Sequence, residues 1–502
     1  MFKGHPKGLY VLFFSNMGER FGYYTMLAIF TLYLRDHFFF DDKTASHIYG
    51  YFLACVYFMP LFGGLLADRV LGYGKTVMLG TIVMMLGYCL LAVPTRSEWQ
   101  VYSALGVIAL GVGLFKGNLV VILGNLYNKS DLSPLKDAAF NIFYMGINVG
   151  AFFAPYAADG IQRYLLGKSN FRYSPEIPQL AHEFLKDGKL NDTLTAFAGS
   201  CGFTNIEDFC RKYLSSLAES YNAGFAIAGI AMLISVIIFL AFRGAYKEAD
   251  YTTRDKNKSG AQQDVELTPK QVKDRIFALV AVFIIVIFFW LAFHQNGSTL
   301  TFFAKNYTQL SVSKETMLIF DLRSLVCIFA VILGLLAVIK VEGGLGKSIG
   351  AFFALAGIAG AYYVYTTLSG TDPVTPQLFQ AFNPIFIVFM TPIIVGFFAW
   401  LNQRKKEPSA PGKIGIGMLI TAIGFSVMLF ASFGLPSVTS LGGKTSSILV
   451  SPYWLISTYF ILTIAELFLS PMGLSFVSKV APPNMRGLMQ GGWLAATAVG
   501  NY

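Results

Sequence analysis

Residues 8–34 read "GLYVLFFSNMGERFGYYTMLAIFTLYL". The run is apolar at both ends and long enough to cross the hydrocarbon core of a bilayer as one helix. Its centre holds Glu19 beside Arg20, with Tyr23 and Tyr24 one turn on. A charge at that depth costs about 3 kcal/mol, so such residues face a bundle interior or a water-filled cavity, not lipid. Asn16, Arg20 and Tyr24 are spaced four apart, as are Glu19 and Tyr23, and all project from one broad side of a helix. Sequence neighbours do not face each other. Glu19 and Arg20 are therefore each expected to find a partner on another helix or in a cavity. The structural alternative is a buried ion pair that locks helices.

The rest of the chain extends this pattern. Of 502 residues, 55% are hydrophobic and 13% charged, against about 25% charged in soluble domains. Mean hydropathy is +0.57. Apolar runs are expected to span at 8–34, 47–66, 76–93, 101–126, 139–160 and 221–242, then at 276–302, 315–339, 348–366, 379–401, 414–433 and 452–477. This is an all-α polytopic membrane protein; the short alternating segments of a β-barrel are not seen. A last apolar segment from Met489 is too short to cross by Tyr502 and reads as truncated. No small-residue cleavage site follows the first run, so it reads as a retained helix.

The net charge of +10 would suggest nucleic acid in a soluble domain. Here the positive-inside rule accounts for it. With the N-terminus in the cytoplasm, the inside loops hold Arg69 and Lys75, Lys129 and Lys136, Lys340 and Lys347, and the run Arg404, Lys405, Lys406. Short outside loops hold few cations, such as Arg35, Arg96 and Lys444. The expected organisation is a first bundle over 1–162, an external polar insertion over 163–220, the sixth helix over 221–243, a cytoplasmic loop over 244–275 and a second bundle over 276–502. In the loop, "YTTRDKNKSGAQQD" reads as flexible, and Thr268 with Pro269 reads as a helix start. Cys201 and Cys210 share the insertion, where either a disulfide or two buried thiols fits. Cys55, Cys89 and Cys327 lie in apolar segments as packing residues.

Intramembrane polar residues are the functional candidates. Lys116 lies in "GVGLFKGNLVV", where Gly111, Gly113 and Gly117 would let helices approach closely. Asn141 and Asn148 are seven apart on one face. In "FHQNGST", the polar run at His294 reads as a helix distortion at Gly297; an imidazole can titrate near neutral pH, and a satisfied core histidine is the alternative reading of His294. Asp321 and Arg323 read as interfacial. Asn383 precedes Pro384, which would kink its helix. Glu466 has no basic residue in its own helix. The first bundle thus supplies cations, Arg20 and Lys116, and the second an anion, Glu466. A zwitterionic solute fits between them. No nucleophile–base pair or metal-ligand cluster is present, so neither an enzyme nor a cofactor is expected.

These residues fall in a set of motifs. "ERFGYY", "GGLLADRVLG", "FKGN", "FYMGINVGA", "FNPIF", "AELFLSPMGLSFVSKVAP" and "RGLMQGGWLAATAVGN" occur in this order. Together they resemble the proton-dependent oligopeptide transporters, a branch of the major facilitator superfamily. The resemblance implies two six-helix bundles, here with an extra helix pair at about 315–366. It implies an alternating-access symporter, in the inner (plasma) membrane, that imports di- and tripeptides with protons and works as a monomer. By resemblance Arg20 and Lys116 hold the peptide carboxylate and Glu466 its amino terminus. Tyr23, Tyr24, Tyr57, Asn148 and Asn383 line the site, and Trp493 packs against a side-chain pocket. Glu19 pairs with Lys116 and takes part in proton coupling with Glu466 and His294; Asp68 and Arg69 belong to a gating loop. The sequence departs from the family at four places. Asn16 replaces the first acid of the opening motif, Leu27 an arginine, Gly117 a proline, and His294 the seventh-helix acid. Altered proton coupling, transport of another small zwitterion or anion, and binding without transport are the alternative readings.

Overall fold

The computed structural model describes residues 4–128, 132, 135–250, 268–341, 343–442, 444–482 and 486–502. The stretch read as flexible lies outside them. Among the described residues, eleven helices are long and apolar enough to cross a membrane. The charged first helix, α1 (Lys7–Asp36), has the length as well. The first bundle joins α1 to α2 (Asp42–Leu71), α3 (Tyr73–Ala92), α4 (Glu98–Leu126) and α5 (Lys136–Lys168). Two short helices follow, α6 (Ile177–Asp187) and α7 (Asp192–Ser200). The bundle closes with α8 (Ile206–Ala241).

Small residues set the helix spacing in this bundle. A Cβ on Gly111 of α4 would sit 2.7 Å from the Gly80 carbonyl oxygen of α3, and one on Gly113 2.5 Å from Cβ of Met59 in α2. Gly117, expected to do the same, faces open space. The sixth membrane helix also differs from the sequence reading. Its first turns are "IEDFCRKYLSSL", and it runs 36 residues without a break. The cause is local. Asn205 caps it by accepting from the Asp208 N–H at 3.1 Å, and Glu207–Arg211 and Asp208–Lys212 support its first two turns at i,i+4. Phe209, Tyr213 and Leu217 are buried along it, so nothing separates insertion from membrane. Cys201 and Cys210 are free thiols, so the disulfide is not formed.

The second bundle begins at α9 (Pro269–Tyr307). Thr268 caps it as expected, in a capping box with Gln271. The helix breaks where the polar run suggested: His294–Gly297 is a 3₁₀ turn, and the helix resumes at Thr299. The extra pair follows as α10 (Leu322–Lys340) and α11 (Gly344–Thr367). It starts later than predicted because Asp321 is its N-cap, accepting from the Arg323 N–H at 2.8 Å and the Ser324 N–H at 3.4 Å. Its neck is tied by β1 (Ser311–Val312) against β2 (Asp372–Pro373), antiparallel, with Ser311 opposite Pro373. The chain thus leaves and rejoins the bundle at one point. Phe329 of α10 packs between Phe152 of α5 and Phe389 of α12 (Phe382–Gln403), with ring centroids at 5.8 and 5.0 Å. Pro384 lies in the first turn of α12, where a missing N–H costs little; the proline inside that helix is Pro392. The bundle ends with α13 (Ala410–Ala431), α14 (Tyr453–Val480) and α15 (Arg486–Asn501).

Each bundle has its own apolar core. They meet where α2 packs on α15 and where α5 packs on α12 and the preceding turn Pro376–Ala381. The polar bonds formed between bundles by described residues gather on the side that carries the 163–220 insertion. One turn and a half before Asp36, Thr31 of α1 donates to the Gly297 carbonyl at 3.1 Å. A methyl group on Gly297 would overlap the Tyr49 hydroxyl and ring. Gly297→Ala should therefore push the bundles apart at a cost of about 1–3 kcal/mol, lowering the melting temperature. Adding Tyr49→Ala clears the space and should recover part of the loss. Wild-type melting of the single variant would show that the contact is not tight.

Candidate functional site

The polar residues of α1, α2, α4, α9, α12 and α14 converge at the seam. Glu19 and Arg20 are both buried. They pair with each other, through Arg20 Nη2 to Glu19 Oε1 at 2.7 Å and through Arg20 Nε to the second oxygen. This corrects the expectation that sequence neighbours need separate partners. Both side chains are long, and without water the nearest countercharge is worth most. The Arg20 guanidinium also lies over the Tyr23 ring at 5.1 Å, and Tyr23 stands edge-on to Tyr24 at 5.4 Å.

Lys116 does not take Glu19 as an ion-pair partner among the described residues. Its ammonium sits 3.9 Å from the centroid of Tyr57, a cation–π contact worth about 0.5–2 kcal/mol. The Tyr57 ring in turn meets His294 of α9, centroids 5.7 Å apart at 71°. Lys116, Tyr57 and His294 thus form a row from the first bundle to the second. His294 Nδ1 lies 3.3 Å from the Trp290 carbonyl one turn earlier.

On the second bundle, Asn383 donates to Glu466 at 2.9 Å and to Thr463 at 3.1 Å. Among the described residues Glu466 has no cationic partner, yet it lies within electrostatic range of Tyr24 and Tyr57. Lys116, Tyr24, Tyr57, His294, Asn383 and Glu466 are all partly accessible. Two buried polar atoms nearby lack a partner among the described residues, Trp290 Nε1 and, one turn beyond Glu466, Ser470 Oγ. Buried polar groups in folded proteins are normally bonded, so these two stand out. The sequence reading omitted Trp290 and Thr463; their spacing from His294 and Glu466, four and three residues on one helix, was the available signal.

The other expected site residues make contacts of their own. Asn148 donates to the Tyr144 carbonyl of its own helix at 3.2 Å, and Asn141 is exposed. Trp493 is buried against Phe283 at 6.4 Å, and a methyl on Gly473 would overlap its ring. Asp68 accepts from the Tyr73 hydroxyl, while Arg69 is exposed. The adjoining start of α3 is capped by Asp250, which accepts from the Gly74 N–H at 2.7 Å.

A second polar cluster, absent from the sequence reading, closes the insertion side. Asp36, at the end of α1, takes Lys305 of α9 in an ion pair whose side chains are 1% and 2% exposed. Arg35 pairs with Asp42 at 2.8 Å and donates to Asn306 at 3.0 Å. Across the α5 seam, Asp159 accepts from Thr375, Gln377 donates to Gln162 at 2.8 Å, and Arg163 donates to the Pro373 carbonyl at 2.9 Å. Burial lowers the pKa of His37 and His182 from the ordinary imidazole value. A neutral imidazole still donates one N–H.

Comparison with known proteins matches this arrangement to a family. The model of the POT family matches residues 74–259 and 361–502, more than half of the chain. The unmatched interval contains α9 and most of the extra pair. "Uncharacterized transporter YclF" of Bacillus subtilis is 29% identical over 99% of this chain and 86% of its own length. "Peptide transporter YePEPT" of Yersinia enterocolitica is 28% identical, covering 100% of this chain and 87% of that protein. Among solved structures, a peptide transporter POT in complex with sulfate superposes with a TM-score of 0.65 at 24% identity, over 100% of this chain and 88% of that one. A POT family transporter with a thioalcohol-conjugated peptide gives 0.66 at 22%, over 100% and 89%. At these identities the structures report the fold: two major-facilitator bundles.

Proposed function

This chain belongs to the POT family, and on that premise we propose that it is a secondary active transporter importing di- and tripeptides with protons by alternating access. The observation that carries the reading is a pair of charges without countercharges. Lys116 on the first bundle lies over the Tyr57 ring and Glu466 on the second accepts from Asn383, and neither forms an ion pair among the described residues. A free peptide brings a carboxylate and an ammonium and satisfies both. Arg20 is already neutralised by Glu19, so Lys116 is the principal carboxylate contact and Arg20 its second. Glu466, oriented by Asn383, takes the amino terminus. Tyr23, Tyr24, Tyr57, Asn148 and Asn383 line the space, and Trp493 walls the side-chain pocket. Relatives named dipeptide and tripeptide permeases support the substrate class.

Proton coupling rests on Glu19, Lys116, Glu466 and His294. The protein lies in the inner (plasma) membrane with its N-terminus in the cytoplasm, as its loop cations suggest, and it works as a monomer. The insertion side is then external. The test is uptake of labelled dialanine into proteoliposomes under an inward proton gradient, with unlabelled peptides and nitrate as competitors. Absence of uptake for every di- and tripeptide overturns the reading, and inhibition by nitrate alone moves it to anion transport.

By the motif resemblance, His294 falls at the position of a seventh-helix acid. If it titrates during coupling, His294→Gln flattens the pH dependence of uptake near neutral pH while peptide binding persists. An unchanged pH profile makes it a structural contact of Tyr57.

A further inference from the structure

The insertion touches both bundles at the closed end, and its contacts form a ring. On the first bundle, Tyr173 donates to Asp36 Oδ2 at 3.2 Å, and His182 Nε2 donates to the Asp36 carbonyl at 2.9 Å. Tyr221 of α8 donates to the same carboxylate at 2.7 Å. The other oxygen, Oδ1, takes Lys305 of the second bundle. The backbone at Tyr173 is fixed from both sides. The Tyr213 hydroxyl donates to the Arg172 carbonyl and accepts from the Ser174 N–H, both at 3.3 Å.

The same helix, α6, also reaches the second bundle. Gln179 donates to the Gly442 carbonyl at 3.3 Å, and Glu183 lies 3.7 Å from Lys444. Gln179 also donates to Glu183 one turn on, at 2.9 Å. The loop they grip is bonded to the gate itself, since the Ser446 N–H donates to the Asn306 carbonyl at 2.8 Å. From Asp36 the path runs through Lys305, Asn306, Ser446, Lys444 and Glu183 to His182 and back to Asp36. Separating the bundles at this end must break both halves of it.

We propose that the insertion is a latch on the external gate: Tyr173 and His182 are positioning residues that hold Asp36 toward Lys305, and Gln179 with Glu183 is the catch on the second bundle. The inference rests on the alternating-access reading above. It assigns the insertion a task in that cycle, setting the balance between the externally closed and externally open forms. Most of the weight falls on Asp36, whose bonds are charge-assisted and buried. The exposed Glu183–Lys444 pair contributes little alone.

The test reads conformation and not uptake, so it gives an answer even if the chain carries no peptide. Spin labels are placed at W99C and F433C, exposed positions on the insertion side of either bundle, in the full chain with its five cysteines replaced by serine. Pulsed dipolar spectroscopy in nanodiscs then gives the populations of short and long separations. Tyr173→Phe keeps the ring and removes one hydroxyl. Combined with Gln179→Ala and Glu183→Gln, it should raise the ratio of long to short separations about tenfold, the change expected from losing roughly one charge-assisted hydrogen bond. Lys444→Gln removes the ionic half of the catch without touching the insertion and, added to Tyr173→Phe, should shift the ratio further in the same direction. If the combined variant does not fold, Tyr173→Phe with Lys444→Gln gives the same measurement. An unchanged distance distribution in these variants overturns the proposal and leaves the insertion as a covering of its own bundle.

Discussion

Glu466→Gln should abolish peptide uptake and weaken dialanine binding by about a hundredfold, or ~3 kcal/mol, the loss expected when a desolvated charge pair loses one partner. Glutamine has nearly the shape of glutamate and can still accept from Asn383, which now bonds Glu466 at 2.9 Å. What disappears is the charge that the proposed site turns toward the peptide ammonium. Because no cation among the described residues balances Glu466, the variant strands nothing, and thermal stability should hold or rise. Equilibrium binding separates the effects. N-acetyl-dialanine, lacking the ammonium, should bind wild type and variant equally weakly, whereas free dialanine should distinguish them. Equal affinity of both proteins for free dialanine would remove Glu466 from the site.

Asp36→Asn should damage the fold as well as the gate. Lys305 is 2% exposed and its countercharge is Asp36. Breaking a buried ion pair from one side costs about 3–5 kcal/mol, because the remaining charge stays buried without compensation. Asparagine also weakens the bonds that Tyr173 and Tyr221 give to the carboxylate. The purified variant should melt well below wild type. Adding Lys305→Met removes the stranded charge and should restore most of the melting temperature, since well-packed apolar replacements of buried pairs are often neutral. It should not restore the externally closed form, because the bond across the seam is still missing. A single variant that melts like wild type would mean that water reaches Lys305.

Some of this was legible in residue order. The N-cap at Thr268, the broken seventh helix at Gly297 and the polar seam around Arg20, Lys116 and Glu466 follow from local rules: cap chemistry, a glycine after consecutive polar residues, and the cost of charge in hydrocarbon. Other readings failed because the outcome was not local. Gly117 looks like Gly113 in sequence, yet one faces open space and the other Met59. Pro384 looked like a kink until the start of its helix was fixed by the 3₁₀ turn before it. Asp36 and Lys305 sit near the ends of apolar runs, where charges are ordinary, so nothing in either helix marks them as a pair.

By itself the sequence determined that this is a membrane protein of two helical bundles, and which charges are too deep to be accidental, because hydropathy and charge cost belong to single segments. Only the tertiary structure decided who pairs with whom. Arg20 turned back to Glu19, leaving Lys116 on the face of Tyr57, and Asp36 gathered Lys305, Tyr173 and Tyr221 from three separate stretches of chain. The physical reason is that the energy of a charge in a dry interior depends on the distance to its nearest partner, and that distance is set by packing between segments far apart in sequence.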